Sequence, residues 1–203
     1  MLTGFTAGLL LISISELGDK TFFIGAILAM RHPRRWVFLG VTAALFVMTL
    51  LSVLLGQVAT FLPPHYVQWA AVALFLGFGL KLLYDASRMK DQGLAHEQAE
   101  ALETVNRQEQ HITQWSVSSV LTEAFLLTFV AEWGDRTQIA TITLAAANHP
   151  VGITLGATLG HAICAAIAVV SGKFVAGRLS ERWLTTAGGV LFLIFGLVAA
   201  LEP

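Results

Sequence analysis

The sequence predicts an all-α membrane protein of six transmembrane helices, arranged as two inverted three-helix repeats. Three observations predict it. Hydrophobic residues make up 56% of the 203-residue chain and charged residues only 12%, far from the balance of a soluble domain. Six apolar stretches have about the length, roughly 20 helical residues, that crosses the hydrocarbon of a bilayer. Finally, Glu16-Leu17-Gly18-Asp19-Lys20-Thr21 returns 116 residues later as Glu132-Trp133-Gly134-Asp135-Arg136-Thr137, each copy inside an apolar run.

The expected spans, in order, are 6–30, 37–62, 67–86, 118–147, 151–177 and 184–201. They end where polar or helix-stopping residues cluster: Arg31-His32-Pro33-Arg34-Arg35, Pro63-Pro64-His65, Ser87 to Gln114, Asn148-His149-Pro150, and Arg178 to Arg182. Trp36, Trp69, Trp115 and Trp183 fall near span ends, where amphipathic rings favour the membrane interface, and Trp133 alone is mid-span. No cleavable leader is expected, because Met1 to Leu11 lacks a basic start and the first apolar run is too long.

Lysine and arginine alternate among the connections. Arg31, Arg34 and Arg35 follow the first span, Arg88, Lys90 and Arg107 the third, and Lys173, Arg178 and Arg182 flank the connection from the fifth to the sixth; the other two connections have none. By the positive-inside bias the basic connections are cytoplasmic and both termini lie outside. The repeat extends beyond the hexapeptide. His32-Pro33 returns as His149-Pro150, Gly40 as Gly156, Gly56 as Gly172, and Leu74-Phe75-Leu76 as Leu191-Phe192-Leu193. Residues 1–86 and 117–203 therefore form the repeats, joined by a polar cytoplasmic connection, 87–116. Three spans is an odd number, so the second repeat enters from the opposite side, as in many secondary transporters with sites near the midplane. Gly4 with Gly8 and Gly156 with Gly160 have the small-xxx-small spacing of close helix packing. The stretch Ala95 to Glu103 is rich in helix formers, which makes the connection a short helix or a linker, read as a solvated tether.

Ionisable groups inside hydrocarbon are costly and mark a task or a partner. On a continuous helix Glu16 and Asp19 share a face, as do Glu132 and Asp135. Four carboxylates meeting at mid-depth make an oxygen-rich site of the kind a hard divalent cation prefers. Gly18 and Gly134 would let the backbone open, and Thr21, Thr137 and Gln138 add neutral oxygens. With Lys20 and Arg136 counted, the group carries a net charge of −2, which one divalent cation or two protons neutralise, so the two would compete. A structural alternative is an intrahelical pair at i,i+4, Glu16 with Lys20 and Glu132 with Arg136.

Weaker candidates surround this motif. His161 reads as a packing histidine, since its repeat counterpart is Leu45. Glu123 reads as a solvated helix end, His32 and His149 as interface residues, and Thr42 with Thr158 as partners of the motif helices. A net charge of −1 and a pI near 6.6 give no basic face for nucleic acid. The single Cys164 forms no intrachain disulfide.

The doubled motif, Glu16 to Phe23 and Glu132 to Gln138, resembles the E-x-G-D-[KR]-[ST] signature of the GDT-type cation exchangers, small six-span proteins of bacterial inner membranes, chloroplasts and the Golgi. The resemblance covers the whole chain. It implies an antiporter, not an enzyme, of the cell inner membrane that exports Mn2+, or Ca2+ in some members, against protons. It also implies Glu16, Asp19, Glu132 and Asp135 as cation ligands. No resident cofactor is expected beyond the transported cation, and a monomer suffices, with a homodimer compatible. The alternative is an intramembrane aspartyl protease using Asp19 and Asp135, which needs two carboxylates sharing one proton. The adjacent Lys20 and Arg136 disfavour that state.

Overall fold

The computed structural model describes residues 1–89, 95–109, 116–176 and 180–201, and the described residues form α-helices without a strand. In chain order these are α1 (Leu2–Glu16), α2 (Lys20–Arg31), α3 (Arg34–Ala59), α4 (Pro64–Arg88), α5 (Ala95–Glu109), α6 (Val117–Glu132), α7 (Arg136–Ala147), α8 (Pro150–Ala176) and α9 (Glu181–Leu201). Prolines set three of the starts. Pro33 precedes α3, while Pro64 and Pro150 open α4 and α8, where a missing amide hydrogen costs nothing. Ser116 opens α6 through a reciprocal capping box with Ser119.

Among the described residues four helices, α3, α4, α8 and α9, are long and apolar enough to cross a membrane. The two motif-bearing spans are not continuous helices, which corrects the sequence reading. The stretch 6–30 divides into α1 and α2, and 118–147 into α6 and α7, bent by 74°. Together α6 and α7 make a fifth candidate span, whereas α1 alone has 15 residues, about 22 Å of helix, short of a bilayer core. The cause is glycine: Gly18 and Gly134 sit at φ +81° and +83°, a left-handed conformation that other residues resist. Glu16 and Asp19 therefore do not share a helical face.

The tether reading is also corrected for residues 95–109. Helix α5 docks on α2, with Ala101 and Val105, one turn apart, fully buried in the core around Phe23, Ile24 and Leu28. Arg31 of α2 bonds Glu109 and, at 2.8 Å, Asn106, and Glu109 also accepts His32 at 3.2 Å. Lys90, Trp115 and Arg178, the side chain of Lys173 and parts of the expected connection lie outside the described residues.

Helix packing follows the sequence repeat, which equates α1 with α6, α2 with α7, α3 with α8 and α4 with α9. Helix α1 packs on α8 and α6 on α3; α2 packs on α8 and α7 on α3; α3 meets α8 and α4 meets α9. Backbones approach most closely at glycine. Gly8 faces the backbone of Ile153 and Ala157, and Gly156 faces that of Phe5, so the α1–α8 contact uses the spaced glycines. A second core, around Phe75, Phe192 and Ile153, joins α4 and α9 to the rest, and outward Leu54, Leu80, Val130, Val170 and Leu197 give the apolar exterior that lipid requires.

A Cβ at Gly156 would collide with the Phe5 carbonyl oxygen, whereas one at Gly77 would meet open space. Gly156→Ala should therefore lower stability by about 1–3 kcal/mol through overpacking. Gly77→Ala should change it by less than about 1 kcal/mol, towards greater stability. Thermal unfolding midpoints of the two variants in detergent check the contrast.

Candidate functional site

The two hexapeptides fold alike. Glu16 and Glu132 are the last residues of α1 and α6; Leu17 and Trp133 turn extended, with ψ of 114° in both; the glycines reverse the chain, and Asp19 and Asp135 become the N-caps of α2 and α7. Each break thus directs a helix C-terminus and a helix N-terminus towards the same region, with the Glu16 and Glu132 carbonyls accepting from the Asp19 and Asp135 amides at 3.3 and 3.2 Å. Trp133 stands at the break, 63% exposed.

Glu16 and Glu132 are 2% and 3% exposed, although they belong to opposite halves of the chain. One carboxylate oxygen each from Glu16, Asp19 and Glu132 lies within 4.8 Å of the others. That spacing suits a common cation, because ligands held at 2.3–2.6 Å stand no more than about twice that distance apart. Thr21 donates to Glu16 Oε2 at 3.2 Å and Thr137 to Glu132 Oε2 at 3.4 Å. The other oxygen of each glutamate, Oε1, is buried with no hydrogen-bond partner among the described residues. Buried acceptors without donors are costly unless a cation or proton meets them.

The two aspartates differ. Asp135 lies outside the three-acid group, and its Oδ2 accepts from the Thr137 amide at 3.3 Å and hydroxyl at 3.1 Å, capping α7. Asp19 makes no such cap and instead accepts from Arg136 of the other half at 3.1 Å. The alternative of i,i+4 pairs is not what forms: Arg136 meets Asp19, and Lys20 lies 3.6 Å from Glu100 of α5. The broken helices cause this, since i,i+4 neighbours align only on a continuous helix. Gln138 accepts from the Gly134 amide at 2.7 Å and so braces the turn.

Three further expectations change. Glu123 is 3% exposed rather than solvated, and neither carboxylate oxygen has a partner among the described residues. His161 is 5% exposed and its Nδ1 is equally unpartnered, so it is not a satisfied packing residue. The Thr42 and Thr158 hydroxyls are buried without the expected bonds to the motif helices. A cavity of about 80 Å3 reaches Asp19 and Arg136 from the α5 side, between α4 and α9. Asp85 and Glu97 line it. Sequence reasoning missed both; their signal was an acid near the end of an apolar span and another on a helix too close to the membrane to be mere linker.

Comparison with known proteins gives a consistent picture. A family model described as "Divalent cation/proton antiporter GDT1" matches residues 4–90 and 120–203. A GDT1-like protein of Synechocystis is 57% identical, over 98% of this chain and 97% of that protein. GDT1-like protein 3 of Oryza sativa subsp. indica is 41% identical over 97% of this chain and 73% of its own, and GDT1-like protein 5 of Arabidopsis thaliana 39% identical over 100% and 97%. No solved structure matches the chain.

The ion pairs at the site should separate in mutagenesis. Arg136→Gln strips Asp19 of its partly buried partner and should cost about 1–3 kcal/mol. Lys20→Gln removes a half-exposed pair and should cost less than about 0.5 kcal/mol. Unfolding midpoints measured with divalent cations chelated check the difference.

Proposed function

The chain belongs to the GDT1 family of divalent cation/proton antiporters, and on that premise we propose that it exports Mn2+ from the cytoplasm in exchange for protons, with Ca2+ as the alternative cargo. One observation carries the reading: Glu16, Asp19 and Glu132, drawn from both halves, present oxygens to a single point in a buried interior. Asp135 completes the ligand set when the halves shift. Its N-cap position beside Thr137 keeps it within one turn of Glu132.

Taking each broken pair, α1 with α2 and α6 with α7, as one span gives six spans. Residues 1–86 and 117–203 are then two inverted repeats in the cell inner membrane, with both termini outside and 87–116 cytoplasmic. The side on which α5 and the open cavity lie is the cytoplasmic one. This arrangement supports alternating access, because one packing detail breaks the exchange of halves. Helices α4 and α9 pack on each other, and the pair touches α1 through α9 and α7 through α4. The repeat-related contacts would be α4 with α6 and α9 with α2. Moving the α4–α9 pair from one set to the other closes the α5 side and opens the opposite one.

In the proposed cycle the carboxylates bind the cation from the cytoplasmic cavity, lined by Asp85 and Glu97. The α4–α9 pair then shifts, and protons from outside displace the cation from the same oxygens. With Lys20 paired to Glu100, the three clustered acids and Arg136 carry a net charge of −2, which one divalent cation or two protons neutralise. A protease would need Asp19 and Asp135 to share a proton, whereas Asp19 faces Arg136 and Asp135 faces Thr137.

Proteoliposomes with an imposed pH gradient and fluorescent readouts of Mn2+, Ca2+ and pH test the proposal. Glu16→Gln, Asp19→Asn, Glu132→Gln and Asp135→Asn should each lower Mn2+ transport more than about tenfold. The apparent Mn2+ affinity of the unaltered protein should fall as pH falls, because protons and metal compete for the same carboxylates. Unimpaired transport in these variants, or an affinity independent of pH, would overturn it.

A further inference from the structure

Two small cavities flank the acidic cluster, and the 116-residue repeat maps one onto the other. Each has a volume of about 10 Å3, room for one water-sized particle. One lies beside Glu132 and the other beside Glu16, and His161 lines both. Their chemistry differs position by position. Where the Glu132 cavity has Met48, Thr49, Ser52 and Gln138, the Glu16 cavity has Cys164, Ala165, Ala168 and Phe22. The repeat partner of His161 is Leu45, which lines the apolar cavity.

We propose that the cavity beside Glu132 is a cation subsite in which the His161 imidazole and the Met48 thioether select Mn2+ over Ca2+, and that its apolar counterpart beside Glu16 holds no metal. The inference rests on the reading of the acidic cluster as the cargo site. Both ions accept carboxylate oxygen, but Ca2+ takes shells of oxygen alone, whereas a first-row transition ion such as Mn2+ binds imidazole nitrogen and thioether sulfur better than Ca2+ does. His161 is buried, 5% exposed, and its Nδ1 has no partner among the described residues. Glu132 Oε1 is likewise buried and unpartnered.

The neighbouring hydroxyls are already oriented as acceptors. Thr49 donates to the Leu45 carbonyl at 2.9 Å, Ser52 to Met48 at 2.8 Å and Thr141 to Thr137 at 2.8 Å. Their hydrogens are spent on the backbone, which leaves oxygen lone pairs for a cation. Gln138 Nε2 lies 3.7 Å from Met48 Sδ and holds the thioether in place. Beyond Glu16 and the shared His161, the Glu16 cavity has only the Thr21 hydroxyl, which donates to Glu16 itself, and the Cys164 thiol, which donates to the Ser13 carbonyl at 3.5 Å. Its remaining walls are apolar, so a divalent ion there would lack the thioether, the Thr49 and Ser52 hydroxyls and the amide that line the Glu132 side.

The test is competition between Mn2+ and Ca2+ in proteoliposomes, at fixed pH gradient, for the unaltered protein, His161→Leu, which places at 161 the residue the repeat has at 45, and Met48→Leu. Each variant should lower the preference for Mn2+ over Ca2+ at least about tenfold, through weaker apparent Mn2+ affinity. If His161→Leu does not yield folded protein, Met48→Leu, a near-isosteric change, carries the test. An unchanged preference, a parallel loss of both cations, or an unaltered protein that prefers Ca2+ would overturn the inference. Glu132→Gln distinguishes its failure from that of the cargo-site reading. Loss of both cations in that variant, with the preference intact in the other two, sinks the subsite alone, and unimpaired transport in Glu132→Gln sinks the cargo site itself.

Discussion

The structure depends on mutual repulsion among carboxylates that the fold forces together. Two unit charges 4.8 Å apart repel by on the order of 3 kcal/mol at an effective dielectric constant of about 20, and Glu16, Asp19 and Glu132 form three such pairs. Arg136, bonded to Asp19, offsets part of this. The remainder requires positive charge from outside the protein. The two glycine-hinged breaks impose the crowding, because they bring helix ends from opposite halves to one depth. Helix packing at glycine holds those ends in place, with Gly8 and Gly156 setting α1 against α8 at backbone contact. The apolar exterior and the oxygen-lined interior are thus two sides of one constraint: lipid excludes water, and without water the acids need compensating positive charge.

The long spans were legible in the sequence because composition alone specifies them. Helices α3, α4, α8 and α9 lie where apolar length predicted helix, and prolines marked the starts of α3, α4 and α8. The breaks were half legible. Gly18 and Gly134 signalled a flexible point, but the i,i+3 spacing of the acids suggested an unbroken helix, and a positive φ at glycine decided otherwise. Pairing across the molecule was not legible. Arg136 meets Asp19 117 residues away, a contact that local spacing cannot encode, while the nearer glutamate at i−4 belongs to a different helix. Docking of α5 was written in Ala101 and Val105, yet two small apolar residues on a polar helix are a weak signal until a partner surface is known.

The repeat explains why the halves resemble one another in packing, and its departures carry the chemistry. Asp135 caps its own helix while Asp19 reaches across to an arginine. Leu45 stands where the other half has His161, and Ala165 and Ala168 where the other half has Thr49 and Ser52. A strictly symmetric molecule would present two equal sites. These substitutions instead make one flank of the cluster polar and the other apolar, which suits a carrier that must treat a metal ion and a proton differently. The α4–α9 pair departs from symmetry in position rather than chemistry, as the proposed cycle requires of an element that would shift between the two sides.

The most direct measurement is anomalous X-ray diffraction at the manganese edge from crystals of transport-competent protein saturated with Mn2+. The account predicts a peak at the meeting point of the two helix breaks, within about 2.6 Å of carboxylate oxygens from both Glu16 and Glu132. Manganese bound only at the surface, or to the acids of one half alone, would contradict it.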